Sequence, residues 1–178
     1  MAEAGERVYI AKALKSSVMW KSATTPSIWY NCVVRGDVDI VRIGQHTNIQ
    51  DGSIGHVMKN ECPLILRDYV TIGHGVMLHG CTIESHCLIG MRATLLNNVV
   101  IGEYSIVGAG AFVTEGTKIP PRSLVYGLPA EVKRPLTDEE AAGMPPANSY
   151  DTGDGLNTAG SRWLRTLHVA RNVKSRRS

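Results

Sequence analysis

Residues 83–113 read IESHCLIGMRATLLNNVVIGEYSIVGAGAFV, and within them an aliphatic residue returns at every sixth position. The spacing extends in both directions with one five-residue step, so the aliphatic positions are 66, 72, 78, 83, 89, 95, 101, 107, 113, 119 and 125. A helix, with about 3.6 residues per turn, cannot keep such a period, and turn residues recur too often for ordinary alternating strands. The pattern predicts very short strands joined by tight turns, with the first residue of each hexapeptide facing inward.

Such hexapeptides are expected to stack as a coil. Three of them close a triangular turn of about 18 residues, and several turns must stack because none buries its apolar face alone. We therefore predict an all-β protein in which residues 1–130 form a parallel β-helix domain, opened by a strand in residues 6–15.

The remaining residues, 131–178, are assigned to a C-terminal extension with short helices. Thr137 and Glu140 have the spacing of a capping box at the start of the first helix. A polar linker follows, and residues 162–174 form the second predicted helix. Residues 161–178 hold six of the 19 basic residues and no acidic one, which leaves 13 basic against 16 acidic residues in the rest. We expect this tail to dock on a partner protein or an anionic membrane surface, the alternative being a solvated helix. Because the positive charge is confined to the tail, no nucleic acid partner is expected.

Cysteine content and hydropathy indicate the kind of cellular compartment in which the protein is expected. The four cysteines form no C-x-x-C pair, so we expect free, buried thiols in a reducing compartment. No apolar run approaches the roughly 20 residues that span a bilayer. The first ten residues, MAEAGERVYI, have the character of neither a secretory signal nor a transit peptide. The sequence therefore predicts no secretion signal and no transmembrane segment.

Histidines stand out in the apolar run VTIGHGVMLHG, where His74 and His79 are five positions apart. On a triangular coil this spacing should make the two side chains diverge around an edge. His56, 18 positions before His74, is expected about one turn away. If such edges pack around a threefold axis, histidines of neighbouring chains meet, and three neutral imidazoles with an open position make a catalytic zinc or iron site. The alternative is a set of exposed turn histidines, which is our interpretation of the other three: His46, His86 and His168.

Polar residues upstream of His56 can support such a site. Arg35 and Asp37 offer an ion pair, and one turn later come Asn48, Gln50 and Asp51. Each alone is typical of a solvated turn. Together they can orient metal ligands and hydrogen-bond a metal-bound water.

The motifs in combination closely resemble the γ-class carbonic anhydrase family. They are RGDVDIVRIGQHTNIQDGSIGH at 35–56, VTIGHGVMLHGC at 70–81, LIGM, IVGAGAFV and IPPRSLVYGLPAEVKR at 119–134, and the resemblance covers about residues 8–140. It implies a left-handed β-helix that assembles as a homotrimer, or as a heterotrimer with paralogues, with one metal at each subunit interface.

The resemblance also implies roles for individual residues. His56 and His79 of one chain and His74 of the next would bind Zn²⁺, with Fe²⁺ or Co²⁺ as alternatives, and the reaction would be reversible hydration of CO₂ to bicarbonate. The remaining family positions are the interface ion pair, the polar residues beside the metal-bound water and an active-site tyrosine: Arg35, Asp37, Asn48, Gln50, Asp51 and Tyr126.

Two departures from the family pattern concern proton transfer. Val38 stands where the fully active members carry an acidic residue, and the short segment VMKNECP at 57–63 holds only Glu61 in place of an acidic shuttle loop. Slow proton export, and therefore modest activity, is expected.

Two other functions stay open at this point. One is a weakly active or non-catalytic subunit of a larger assembly, since relatives of this family are subunits of mitochondrial respiratory complex I. The other is acyl transfer or thioester hydrolysis, which hexapeptide enzymes carry out with a catalytic histidine. The expected location is the cytoplasm or the mitochondrial matrix.

Overall fold

The structure, a computed structural model, describes residues 18–20 and 26–144. The predicted strand at 6–15, the polar linker, the second helix with its basic tail, and His168 lie outside the described residues. Within the described part, no helix is long and apolar enough to cross a membrane.

In the described residues, eighteen strands, most of them two or three residues long, make up nearly all the regular structure. In chain order they are β1 (Val18–Trp20), β2 (Ser27–Ile28), β3 (Val33–Arg35), β4 (Val41–Ile43), β5 (Asn48–Ile49), β6 (Ile54–His56), β7 (Leu64–Leu66), β8 (Thr71–Ile72), β9 (Met77–His79), β10 (Thr82–Ile83), β11 (Leu88–Ile89), β12 (Thr94–Leu95), β13 (Val100–Ile101), β14 (Ile106–Val107), β15 (Phe112–Val113), β16 (Lys118–Ile119), β17 (Ser123–Gly127) and β18 (Ala130–Pro135). One helix follows, α1 (Asp138–Ala142).

The strands form three sheets, one on each face of a coil. Every third strand belongs to the same sheet, in the orders β1-β4-β7-β10-β13-β16, β2-β5-β8-β11-β14-β17-β18 and β3-β6-β9-β12-β15. All pairs are parallel except β17 with β18. The predicted all-β parallel β-helix is therefore confirmed. We call the sheet from β3 to β15 the histidine face, because β6 and β9 end in His56 and His79.

The predicted inward residues fill the core. Each is at most 6% exposed: Leu66, Ile72, Leu78, Ile83, Ile89, Leu95, Ile101, Val107, Val113, Ile119 and Val125. They stack in register from turn to turn, as Ile72, Ile89 and Val107 do on one face. Full burial of one such side chain stabilises the fold by about 1.5–3 kcal/mol, so the repeated inward side chains stabilise the coil.

One corner of the coil carries a stack of aromatic rings. His46, Tyr69, His86 and Tyr104 all have φ between 54° and 60°, and successive ring centroids are 4.7, 4.8 and 4.6 Å apart. Turns repeated at the strand spacing of about 4.8 Å superpose their side chains at the distance that suits ring stacking. His46 and His86 therefore lie in turns, as expected, but the prediction that they are exposed is wrong because both are half-buried in this stack.

The interruption at residues 57–63 changes the register that the sequence suggested. It forms a tight turn closed by a bridge between Met58 and Cys62. As a result His56 pairs with His79, 23 positions later, rather than lying one turn from His74. The prediction that His56 lies one turn from His74 is therefore wrong, because the turn at 57–63 contains five extra residues.

The C-terminal end of the coil is a hairpin. β17 continues the parallel sheet beside β14, and β18 then returns antiparallel to it. The sheet therefore runs to Pro135, into the predicted extension. Helix α1 begins after Thr137, whose side chain accepts from the amide of Glu140 while the Glu140 carboxylate accepts from the amide of Thr137. The predicted capping box is confirmed.

The four cysteines are buried free thiols, as predicted: Cys32, Cys62, Cys81 and Cys87. Burial raises the pKa of Cys81 and of Cys87 to about 12. Because the reactive species is the thiolate, these two side chains serve as apolar core residues rather than nucleophiles.

Candidate metal centre

Two histidines meet on the outer surface of the histidine face. Gly55 and Leu78 occupy the inward position of β6 and β9, so the alternation of a strand turns His56 and His79 outward at the strand ends. His56 Nδ1 lies 3.2 Å from His79 Nε2, and both side chains are half-buried. The register of the coil thus brings two imidazoles 23 positions apart in sequence into direct contact.

The other nitrogen of each ring has an acceptor. His56 Nε2 lies 3.0 Å from Asp37 Oδ1, and His79 Nδ1 lies 2.6 Å from Asn97 Oδ1. A carboxylate or an amide oxygen can only accept, so both of these ring nitrogens carry the hydrogen. In the neutral rings, the two nitrogens that face each other are then lone-pair donors. Arg35 Nη2, 3.4 Å from His56 Nδ1, agrees with this assignment because a guanidinium can only donate.

This arrangement fits a metal ion. Two lone pairs that face each other need a cation or a proton between them. The 3.2 Å separation of the nitrogens is that of two ligands at about 2.0–2.1 Å from a tetrahedral zinc, with an angle of about 100–106° at the metal. A complete protein site needs three ligands, however, and no group of three or more His, Cys, Asp or Glu residues able to hold a metal occurs within the described residues of one chain.

His74 lies at the corner where the chain enters the histidine face. It precedes β9, next to Gly75, and its Nδ1 is 3.1 Å from Asp51 Oδ2. The side chains of His74 and Asp51 are 54% and 40% exposed, so this imidazole is open to an approaching surface. The carboxylate holds the hydrogen on Nδ1 and leaves Nε2 as the nitrogen that can bind a metal.

The described chain therefore carries two separate clusters. The paired-histidine cluster holds His56 and His79 with their partners Arg35, Asp37 and Asn97, and the corner cluster holds His74 with Asp51. His74 and His79 stand at opposite ends of the short segment through β9, as the five-residue spacing on a coil predicts.

Arg35 and Asp37 lie together at the paired-histidine cluster. Arg35 Nε is 3.5 Å from Asp37 Oδ1, and both side chains contact His56. Although desolvation works in the opposite direction, the hydrogen bond from His56 and the charge of Arg35 lower the pKa of Asp37. Asp37 is therefore ionised at neutral pH and is able to orient the His56 ring.

Asn48 and Gln50 lie around the corner from the paired histidines. Asn48 is buried on the neighbouring sheet, where its Nδ2 donates to Ser27 Oγ at 2.7 Å, and its Oδ1 has no partner among the described residues. Gln50 directly precedes Asp51 and is half-buried. Only Gln50 thus lies beside the corner cluster at the surface.

Tyr126 is not brought to either cluster within one chain. It lies on β17, three strands along the sheet from β8, which is about 14 Å at the usual strand spacing. Its ring instead lies 5.4 Å from Lys133 Nζ.

Asn97 is a site residue that the sequence analysis missed. It follows His79 by 18 positions, one residue beyond the position that the 17-residue offset between β9 and β12 places opposite His79, and this near-repeat spacing was the signal that could have revealed it. Its position in an Asn-Asn turn, a common turn composition, concealed it.

Comparisons with known proteins place this geometry in a family. The family profile described as "Bacterial transferase hexapeptide (six repeats)" matches residues 80–115. The chain is 51% identical over 121 residues to "Gamma carbonic anhydrase 1, mitochondrial" of Arabidopsis thaliana, covering 65% of this chain and 44% of that protein. It is 54% identical over 114 residues to "Probable carbonic anhydrase" of Methanocaldococcus jannaschii, covering 64% and 71%.

Among solved structures, a hexapeptide transferase family protein from Anaplasma phagocytophilum superposes with a TM-score of 0.64 at 30% identity, covering 79% of this chain and 87% of that one. The chain spans less than half the length of the Arabidopsis relative but more than two thirds of the archaeal one. On that identity and coverage, the chain belongs to the gamma-class carbonic anhydrase family.

Proposed function

We propose that this protein hydrates CO₂ reversibly to bicarbonate at a metal held between subunits. The observation that carries the proposal is the 3.2 Å contact between His56 and His79, whose facing lone pairs need a cation, together with the exposed His74 at the far corner of the same face. In a head-to-tail ring, His74 of one copy completes the ligand set of the next, and such a contact closes after three copies.

The outer surface of the histidine face supports this assembly. Val33, Ile54, Met77, Thr94 and Phe112 form one column across its five strands. Val33 and Ile54 are each 38% exposed in the single chain. A column that is apolar at four of its five positions, beside a ligand pair, suits an interface between copies, whether the ring is made of one chain type or of paralogues.

Zinc is the metal we propose, because neutral imidazoles suit it well, while Fe²⁺ and Co²⁺ accept the same ligands. When bound, it supplies a Lewis acid that makes water nucleophilic at neutral pH, the established role of zinc in carbonic anhydrases. His56, His79 and the neighbour's counterpart of His74 would hold it.

The surrounding side chains have separate tasks in this proposal. Asp37 and Asp51 orient the imidazoles of His56 and His74 by accepting from their second ring nitrogens. Arg35, with its guanidinium beside the His56 ring, offers a positive charge and a planar donor set to the bicarbonate anion. Gln50 lies next to Asp51 in sequence and is the amide best placed to bind water at the completed site.

Proton transfer out of the site is the step for which the chain offers few acidic side chains. Val38 is an exposed apolar residue, and the turn at 57–63 offers Glu61 as its one carboxylate. We infer that turnover is limited by transfer of the proton to external buffer.

Stopped-flow CO₂ hydration tests the function. The rate should rise with imidazole concentration, because a small buffer replaces the missing internal carrier, and His74→Ala should abolish it. His46→Ala, which changes a histidine that belongs to the ring stack and to neither cluster, is the matched control and should retain activity. A high rate that is indifferent to buffer would contradict the proton-export argument.

Two alternative functions have distinct outcomes. The transferase names of the profile and of the Anaplasma structure suggest acyl transfer, which would show as acetyl-coenzyme A consumption without a metal requirement. A purely structural subunit would bind metal fully yet show no hydration at any buffer strength. The "mitochondrial" relative suggests the matrix as the location, which fractionation of the source cells would test.

A further inference from the structure

Asn97 lies in the turn that follows β12, the strand next to β9 on the histidine face. Its Oδ1 accepts from His79 Nδ1 at 2.6 Å, a shorter contact than the one between Asp37 and His56. Its Nδ2 faces Met58 Sδ at 3.8 Å, across the turn that carries the interruption. The thioether is a weak acceptor and has no hydrogen to donate, so it favours the amide orientation with nitrogen toward sulfur and oxygen toward the imidazole.

The backbone holds Asn97 in this position. Its carbonyl accepts from the amide of Gly116 in the next turn of the coil. On the other side, Gly80 has φ +55°, and a Cβ there would lie 2.9 Å from Asn97 Oδ1 and 2.5 Å from Cys62 Cβ. Glycine at position 80 therefore leaves the space through which the amide oxygen reaches the ring.

We propose that Asn97 is a positioning residue that fixes His79 in the tautomer with hydrogen on Nδ1, so that Nε2 is presented to the metal. The metal part of this inference rests on the proposed function, whereas the tautomer part concerns the chain alone. Without a fixed tautomer, Nε2 of a neutral imidazole carries the hydrogen for part of the time and cannot bind a metal.

The chemical type of Asn97 adds a second consequence. Asp37 and Asp51 already place two carboxylates beside His56 and His74. An amide fixes the third imidazole without a third negative charge next to a site whose product is an anion. Asn97→Asp should therefore keep the tautomer, and Asn97→Ala should lose it.

The experiment uses the full chain with ¹⁵N-labelled histidine, prepared free of metal, and long-range ¹H–¹⁵N correlation spectra that report the tautomer of each ring. In the unmodified protein Nδ1 of His79 should carry a hydrogen, as it should in Asn97→Asp. In Asn97→Ala the His79 signals should move toward those of a tautomer mixture. Asn98→Gly is the matched control: it removes the neighbouring amide at a position with φ +58°, which glycine adopts freely, and should leave His79 unchanged.

Zinc affinity, measured by competition with a chelator, is the second readout. Asn97→Ala should weaken binding about 10–100-fold, the usual effect of removing a partner of a metal-ligating histidine, and Asn97→Asp should restore it. An unchanged His79 tautomer in Asn97→Ala would overturn the inference. So would weak zinc binding in both variants, because Asn97→Asp keeps an acceptor oxygen of the same shape beside His79 Nδ1. If the unmodified protein binds no zinc but the tautomer shifts as expected, the proposed function fails and the role of Asn97 stands.

Discussion

Mixing two metal-free variants, His74→Ala and His79→Ala, should restore metal binding to about a quarter of the sites. Each proposed site takes its His56 and His79 from one chain and its His74 from the next. In rings assembled at random from equal amounts of both variants, each half is intact with a probability of about one half, and the product is about one quarter. Neither variant alone should hold metal, because an open three-histidine site has no spare ligand.

The structure supplies a matched negative control for this experiment. His56 and His79 contact each other within one chain, so a mixture of His56→Ala with His79→Ala contains no chain with an intact pair. That mixture should recover no sites, although the number of histidines removed is the same. A mixture of His56→Ala with His74→Ala should again recover about a quarter, because these residues belong to different halves.

The substitutions should leave the fold intact, since all three histidines face outward and the core residues beside them are unchanged. Metal content is measured after the variants are unfolded together, refolded and purified, with native mass spectrometry to establish that mixed rings formed. Cobalt absorption reports the same sites independently. Two results would refute the shared site. One is metal recovery in the control mixture of His56→Ala with His79→Ala equal to that in the other mixtures, and the second is no recovery in verified mixed rings of His74→Ala with His79→Ala.

Three further predictions concern stability and the tail. Leu95, fully buried in the coil, should lose about 2–5 kcal/mol of unfolding free energy on substitution by alanine, whereas Leu96→Ala, beside it outside the core, should cost much less in the same denaturant titration. Arg134 binds Glu140 through two hydrogen bonds of 2.6 and 2.7 Å and lowers the pKa of Glu140 to about 2. Because the folded pKa is depressed, the contribution of this ion pair to the free energy of unfolding is complete above about pH 4.5 and is lost as the pH falls toward 2. Glu140→Gln should remove that part of the acid dependence of the unfolding midpoint and Glu139→Gln should not, so equal profiles for the two variants would contradict the assignment. Deleting residues 150–178 should leave metal content and ring size unchanged but abolish sedimentation with anionic vesicles or a native partner. If the partner surface is anionic, salt near 1 M should have the same effect as the deletion. Binding that survives the deletion would show that the tail is not the docking element.

The hexapeptide spacing predicted the core residue by residue because burial repeats with the period of the chain. Ile83, Leu95 and Val113 are inward for the same reason, namely that each is the first residue of its hexapeptide. The register of His56 could not be predicted in the same way, because the interruption at 57–63 has the composition of a loop, and composition does not give the number of residues that one turn absorbs. The hairpin of β17 and β18 was missed because Val125 keeps the hexapeptide period although the chain reverses two residues later.

The width of the histidine face gives a physical reason for the proposed division of the site between copies. Its strands are two or three residues long, so each turn presents one outward residue at the strand end, and the outward residues of successive turns form a column. Neighbours in such a column are about 4.8 Å apart, and their side chains can bend toward each other, as those of His56 and His79 do, so that two neighbours could bind one ion. The first and third members are about 9.6 Å apart, too far for two bonds of about 2.1 Å. Two other residues beside the histidine pair have different roles: Arg35, which pairs with His56 in the sheet, supplies a charge, and Asn97, in the turn after β12, is the partner of His79. A coil of this width can supply two adjacent ligands from one column but not three. In the proposed site the third imidazole therefore comes from a different edge, namely the corner that carries His74 in another copy. In that proposed arrangement metal binding and assembly are coupled, so removal of the metal should lower the stability of the ring as well as its activity.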